Sequence, residues 1–156
     1  MTSTPESLPS TTEASSGPPA NIQEFNRIAG MVFAQLYSQF PAPVNIDRQA
    51  IANAFGAQGT DWSHQLPSGK TVSDQIAYTI GWLNNQGYTV AFGAHPAERA
   101  TLSEKGLVAL NAVPQGLSVT IGTSLVSAAS EARRDWSSVG DFVGGLFGGF
   151  SKSIGS

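Results

Sequence analysis

Apolar residues recur at every third or fourth position in the first part of the chain, which is the spacing that places side chains on one face of a helix. The segment 22–40 keeps this spacing and predicts a long amphipathic helix that ends at Pro41. The segment 43–46 is short and β-branched, which favours a strand. Asp47 then has the position of an N-cap for a second helix, and Gly56 ends that helix.

The spacing changes twice within the segment 71–111. Helical spacing at its start gives way to alternating residues in 88–92, and the segment 99–102 can return antiparallel to them. Ser103 then caps another helix. We therefore predict helix, strand, turn, strand and helix.

The end of this stretch resembles a motif of winged helix-turn-helix domains. The motif reads LTxxGxxxL in bacterial MarR-like and PadR-like regulators, and residues 102–106 of this chain read LSEKG, followed by Leu110. The resemblance implies a winged helix, which is a mainly α fold with a small antiparallel β-sheet, and it implies that the segment 44–46 pairs at the edge of the two strands. In this chain a C-terminal amphipathic helix is expected to follow the winged helix. The loop 57–70 is longer than the tight turn usual between the second and third helices, which leaves the presentation of the third helix open.

Composition divides the chain into three regions. Residues 1–20 are rich in Ser, Thr, Pro and Gly with a single leucine, so they bury too little apolar surface to fold and are predicted to be a disordered N-terminal tail. Residues 21–113 form the predicted winged-helix domain. Residues 114–156 form a glycine-rich, amphipathic helical segment.

Apolar residues in the segment 121–154 are three or four positions apart throughout, which predicts one continuous helical face. Its glycines weaken the isolated helix, and their four-residue spacing allows close helix approach. We therefore expect this segment to mediate self-association or partner binding and to be dispensable for folding. The alternatives are a frayed tail, or side chains that fold back onto the domain's own core. The candidate interaction residues are Trp136, Val139, Gly140, Phe142, Val143, Gly144, Leu146, Phe147, Gly148 and Phe150.

Composition and charge exclude several kinds of chemistry. The chain has 156 residues and no cysteine, which excludes thiolate nucleophiles, thiolate metal sites and disulfides. A formal net charge of −3 argues against strong nonspecific binding of nucleic acid. The N-terminus lacks the pattern of a signal peptide, and no apolar run reaches ~20 residues. We expect a cytoplasmic protein, with peripheral membrane contact as an alternative.

Candidates for catalysis are few. The two histidines, His64 and His95, have no carboxylate or histidine at metal-ligand spacing. Asp61 lies three residues before His64, but no nucleophile accompanies the pair. The loop 66–71 lacks the first glycine and the leading strand of a phosphate-binding loop. We therefore expect no enzyme activity, cofactor, metal or small-molecule substrate.

DNA binding is an alternative because the resemblance includes DNA-binding regulators. The third helix would then present polar residues outward, Thr79 among them, to read bases. Asp74 lies in the first turn of this helix, however, and residues 21–112 carry slightly more acidic than basic side chains. The candidate nucleic-acid contacts are Lys70, Ser73, Gln75, Tyr78 and Arg99.

The sequence thus favours a non-catalytic interaction or regulatory module. Its partner is expected to be another protein or a second copy of the chain, since the near-neutral domain has the composition of an assembly unit. The alternatives are a DNA-binding transcriptional regulator and a membrane-associating accessory protein, which the charge pattern favours less.

Overall fold

The computed structural model of the chain describes residues 17–94, 99–113, 118–130 and 143–147. The fold is mainly helical with one small antiparallel sheet of three strands. Residues 143–147 are helical as well. The other elements are, in chain order, α1 (Ala20–Gln39), β1 (Val44–Asn45), α2 (Arg48–Ala54), α3 (Val72–Asn85), β2 (Thr89–Ala91), β3 (Arg99–Leu102), α4 (Glu104–Leu110) and α5 (Ile121–Ser130).

The sheet has β3 at its centre, between β1 and β2. Both neighbours run antiparallel to β3, with Val44 opposite Ala100 on one side and Val90 opposite Thr101 on the other. This pairing confirms the strands that the alternating pattern predicted, although each strand on the edge is shorter than its predicted segment. Hydrogen bonding is weakest at the ends of a strand, so strand boundaries predicted from a sequence differ from the observed ones by about one or two residues.

Side-chain caps fix the starts of α2, α3 and α4. Asp47 accepts a hydrogen bond from the backbone N–H of Ala50 at 3.0 Å, and Ser103 accepts one from Gly106 at 3.0 Å. Both caps were expected from the sequence and are confirmed. Thr71 does the same for α3, accepting from the N–H of Asp74 at 3.2 Å. Each cap satisfies an N–H group that lacks a partner within its own helix.

The helix α1 begins within the region expected to be a disordered tail. Ala20 is its first residue, and the backbone N–H groups of Ile22 and Gln23 both donate to Pro19 O. Gln23 Nε2 also donates to Pro18 O at 2.6 Å. The last few residues of the 1–20 region are therefore part of the helix start, and residues 1–16 lie outside the described residues.

A single hydrophobic core joins all these elements around α1. It draws buried side chains from each helix and from the sheet. Four of these side chains come from the region 114–156, which the sequence separated from the domain. They are Ile121, Leu125, Val143 and Leu146.

The docking of α5 on α1 requires a glycine at position 122. A Cβ added there would lie 2.5 Å from the ring of Tyr37, so α5 approaches this ring more closely than an alanine allows. The Tyr37 hydroxyl donates to Asn111 Oδ1 at 2.8 Å and lies 3.3 Å from Thr120 Oγ1. Tyr37 therefore joins α1 to the end of α4 and the start of α5.

The predicted continuous helix over 121–154 is only partly within the described residues. Two parts of it are helical, namely α5 and residues 143–147, and both pack into the core. For these parts the structure favours the alternative in which the side chains complete the domain's own core. None of the helices in the described ranges combines the length and hydropathy that a membrane crossing requires.

Candidate docking groove

Large apolar side chains are exposed on α3 beside its buried face. The buried face carries Val72, Ile76, Ile80 and Leu83. Tyr78 and Trp82, one turn apart on the neighbouring surface, are 60% and 42% exposed. Ile22 in the first turn of α1 is 41% exposed. Single exposed apolar residues are common on protein surfaces, whereas several adjoining ones often mark an interaction site.

These exposed residues line one feature, which we call the α1–α3 groove. It consists of two adjoining depressions with volumes of ≈ 350 and ≈ 640 Å³, which share Ile22, Phe25 and Trp82. The first depression extends to Lys70 and the second extends to Lys105. The other residues of its lining are Pro18, Asn21, Asn26, Gln75, Tyr78, Thr79, Gln86, Tyr88, Gly144 and Phe147.

An aromatic cluster forms the middle of the groove. The rings of Phe25 and Trp82 meet edge to face, with centroids 5.1 Å apart. Phe147 lies 5.7 Å from each of these two rings and 5.3 Å from the ring of Tyr88. Each such pair contributes roughly 0.5–1.5 kcal/mol beyond the burial of its surface. The groove is therefore preformed, because its walls are held by contacts with one another.

The Lys70 end of the groove is held in place by a buried carboxylate. Glu24 on α1 is 3% exposed. It accepts hydrogen bonds from Ser68 N at 2.9 Å, from Ser68 Oγ at 2.6 Å and from Gln75 Nε2 at 2.9 Å. These bonds tie α1 to the loop before α3 and to α3 itself. They fix the presentation of α3, which the length of that loop had left open.

The charge of Arg27 lies on the α2 side of Glu24. Its guanidinium lies 4.4 Å from the centroid of the Phe55 ring, at the end of α2. Burial lowers the pKa of Arg27, and the negative charge of Glu24 opposes that change. Neither Glu24 nor Arg27 is among the residues that line the groove. The two charges therefore contribute to the packing of α1 and not to the groove surface.

Lys105 lies at the opposite end of the groove. Its Nζ donates to the backbone carbonyl of Gln86 at 2.8 Å, and it lies 4.4 Å from the centroid of the Tyr88 ring. Gln86 is the C-cap of α3, where a cation interacts favourably with the helix dipole. Burial raises the pKa of Tyr88, so this phenol is neutral beneath the lysine. Among the described residues that line the groove, Lys70 and Lys105 are the charged ones, and both are basic.

The structure separates the candidate nucleic-acid contacts. Lys70 and Tyr78 line the α1–α3 groove, whereas Ser73 lines a separate depression with Arg48 and Trp62. Arg99 lies on β3, opposite Asn45 of β1. Gln75 lines the groove as well but is buried, so Lys70 and Tyr78 are the two exposed candidates that share a surface feature.

Two residues expected to face outward from α3 are buried instead. Gln75 is 7% exposed with its amide bonded to Glu24, and Thr79 is buried one turn later. The expectation failed because the buried face of α3 is wide enough to include this polar pair, and Glu24 satisfies the amide that would otherwise prevent burial. Gln75 is therefore not available to read a base.

The candidate interaction residues of the C-terminal segment fall into two groups. Within the described residues, Val143 and Leu146 are buried in the core, Gly144 lies beside Asn26, and Phe147 lines the groove. These side chains pack on the domain rather than project from it. The remaining candidates, which lie outside the described residues, are Trp136, Val139, Gly140, Phe142, Gly148 and Phe150.

The groove itself was not anticipated from the sequence. Ile22 and Phe25 were assigned to the apolar stripe of α1, and Trp82 was not singled out. One signal was available: Tyr78 and Trp82 are four residues apart and fall beside the buried stripe of α3 rather than in it. Two large aromatic residues on the exposed face of an amphipathic helix are typical of a contact surface.

A second groove, of ≈ 360 Å³, lies between the C-terminal half of α1 and the start of α2. Gln35 and Asp47 on its rim are already paired, since Asp47 N donates to Gln35 Oε1 at 2.8 Å and Gln35 Nε2 donates to Asp47 O at 3.3 Å. This arrangement positions the N-cap of α2. It offers less exposed aromatic surface than the α1–α3 groove.

His64, the remaining candidate for catalysis, lies in an environment that is typical of a structural residue. It is half-buried, and its Nε2 lies 3.0 Å from the carbonyl oxygen of Phe55 rather than near the Asp61 carboxylate, which accepts from Ser63 Oγ at 3.0 Å. Within the described ranges, no three acidic, histidine or cysteine side chains come together as metal ligands. His95 lies outside those ranges.

No protein-family model, curated protein or solved structure matches the chain.

Proposed function

We propose that the chain is a non-catalytic winged-helix module for protein contact, and that its docking surface is the α1–α3 groove. The order of elements from α1 to α4 supports the winged-helix assignment, as does the sheet, in which the short β1 pairs with β3 of the expected wing. Winged helices serve both as DNA readers and as assembly units, so the function depends on the surface rather than on the fold.

The observation that carries the proposal is the exposure of Ile22, Tyr78 and Trp82 along one preformed groove. Burying a large apolar side chain stabilises a complex by about 1.5–3 kcal/mol. Part of that gain is offset by the entropy of association. Aromatic anchors in fixed positions are the residues that dominate protein interfaces.

The composition of the groove favours protein over duplex DNA. A DNA surface needs several basic residues aligned with phosphates, whereas this lining carries two lysines at its ends and aromatic rings between them. Gln75, a residue type suited to reading adenine, is committed to Glu24. The groove therefore matches an apolar partner better than a polyanion.

Selection of ligands from a displayed library of random peptides tests the proposal. Peptides are selected on the full chain, and the best are titrated against the wild type and against Tyr78→Asp. Since Tyr78 is mostly exposed, the substitution should leave the fold intact. We expect it to weaken binding by at least tenfold, about 1.4 kcal/mol, because it places a charge among the aromatic rings.

Val113→Asp is the matched control, because Val113 is also exposed and does not line the groove. The Val113→Asp variant should bind the selected peptides with the same affinity as the wild type. A selection that returns no peptide sensitive to Tyr78→Asp, or peptides equally sensitive to both substitutions, contradicts the proposal.

A further inference from the structure

The last described stretch of the chain enters the α1–α3 groove at Phe147. The ring of Phe147 lies 5.7 Å from the rings of Phe25 and Trp82, in the aromatic cluster at the middle of the groove. Val143 and Leu146, in the same helical stretch, are buried in the core. The residues that follow Phe147 therefore begin inside the groove.

The segment 148–156 lies outside the described part of the chain, but the spacing of its apolar residues relates them to the groove. Phe150 comes four positions after Leu146 and three after Phe147. Ile154 comes seven positions after Phe147. Positions three, four and seven apart share one face of a helix. A helix that continued beyond Phe147 would therefore hold both side chains on the face that packs on the domain.

The exposed part of the groove lies within reach of these two side chains. Trp82 belongs to both depressions, and Tyr78 is four positions from it along α3, which is about 6 Å at the rise of a helix. The seven positions from Phe147 to Ile154 span about 10 Å as a helix and about 23 Å when extended. Either length is enough to reach from the aromatic cluster to Tyr78.

We propose that the segment 148–156 is an internal ligand of the α1–α3 groove. Phe150 and Ile154 pack against Tyr78 and Trp82, and a protein partner must displace them in order to bind. This inference rests on the proposed function and adds the regulation of the same site.

The composition of the segment suits a contact that a partner can displace. Because the segment is attached to Phe147, its effective concentration at the groove is about millimolar, which exceeds that of a second copy at ordinary protein concentrations. Gly148 and Gly149 act in the opposite direction, because each glycine costs roughly 1 kcal/mol within a helix. The covered groove is therefore in equilibrium with an open groove that a partner can bind.

Amide chemical shifts of the isotope-labelled full chain test whether the segment lies in the groove. Phe150→Asp puts a charge at the proposed contact. Lys152→Gln is the matched control, because it changes the net charge by the same amount on the opposite side of a continued helix. We expect Phe150→Asp to change the shifts of Tyr78 and Trp82 at every protein concentration, and the control to leave them as in the wild type.

Affinity for a partner gives a second readout. Library-selected peptides that are sensitive to Tyr78→Asp should bind Phe150→Asp at least about threefold more tightly than the wild type, because a covered groove lowers the apparent affinity by its uncovered fraction. Ile154→Asp should act in the same direction, so the result does not depend on the folding of one variant.

Four outcomes contradict the inference or the function beneath it. Unchanged groove shifts and affinities in both aspartate variants overturn the inference and leave the docking groove in place. Shift changes that grow with protein concentration make a second copy the occupant, and equal effects of Lys152→Gln assign the change to charge, so either result overturns it. Loss of the thermal unfolding transition in both aspartate variants makes Phe150 and Ile154 core residues and overturns it too. If no selected peptide depends on Tyr78, the proposed function fails, whereas the shifts still test the segment.

Discussion

Glu24 and Gln75 share a buried hydrogen bond, in which the amide of Gln75 donates to Glu24 Oε1 over 2.9 Å. The two residues are 51 positions apart, and the same carboxylate also holds the backbone and hydroxyl of Ser68. One side chain of α1 therefore positions α3 and the loop that carries Lys70. Because the groove lies along α3, its shape depends on a polar contact beneath it.

Glu24→Ala should destabilise the fold by about 3 kcal/mol. The substitution removes three hydrogen bonds to a charged acceptor and leaves the buried amide of Gln75 and the partly buried donors of Ser68 without this partner. Urea denaturation of the two proteins gives the difference. The exposed Glu104 supplies a control, since Glu104→Ala should cost at most about 1 kcal/mol through the helix dipole. Equal losses for both substitutions would show that the Glu24 network contributes nothing specific.

Two glycines in helices should respond to alanine with opposite signs. At Gly122 the new methyl group would meet the ring of Tyr37, so Gly122→Ala should destabilise by about 1–3 kcal/mol. At Gly81 no atom lies within 4 Å of the new methyl group, and Gly81→Ala should stabilise α3 by up to about 1 kcal/mol. Thermal unfolding of both variants checks this. A stabilised Gly122→Ala would mean that α5 does not lie against Tyr37.

Most of the backbone fold could be predicted from the sequence, because local signals agreed with one another. Asp47 and Ser103 cap the helices that they were expected to cap, and the pairing of β2 with β3 follows from the alternating pattern. The region after residue 113 was harder. Its apolar spacing is the same whether the face packs on a partner or on α1, so only the tertiary contacts of Leu125 and Val143 distinguish the two.

A chain that ends at Val113 should fail to fold cooperatively. It would lack Ile121, Leu125, Val143 and Leu146, whose burial contributes about 1.5–3 kcal/mol each. The total, about 6–12 kcal/mol, is similar to the whole stability of a typical domain, 5–15 kcal/mol. Thermal unfolding followed by circular dichroism would show a broad, non-cooperative change. A sharp transition near that of the full chain would instead show that the C-terminal region is dispensable.

The stability of the fold should fall at alkaline pH partly because of Tyr88. Burial raises the pKa of Tyr88 above its usual 10.0, so the folded state keeps the phenol proton where the unfolded chain releases it. This contribution is fully present below about pH 10 and is lost as the pH rises through the folded-state value. Chemical denaturation across this range should show a steeper decline for the wild type than for Tyr88→Phe. Parallel declines would rule out this residue as the cause.

The candidate site was less predictable than the fold. Gln75 was expected to face outward because polar residues usually do, and only the buried Glu24 explains its position. Phe147 reaches the groove from a segment far along the chain, and no local pattern indicates that contact. Tyr78 was named as a candidate contact, but for a different ligand. Surfaces built from distant segments depend on tertiary packing, which periodicity alone does not describe.

Mapping a bound peptide by amide chemical shifts tests the central claim most directly. A library-selected peptide is titrated into the isotope-labelled full chain. Docking in the α1–α3 groove predicts the largest shifts at Ile22, Tyr78 and Trp82, with smaller ones at Lys70 and Lys105. Shifts confined to another surface, such as the exposed Val90 and Phe92 of the sheet region, with none in the groove, would contradict it.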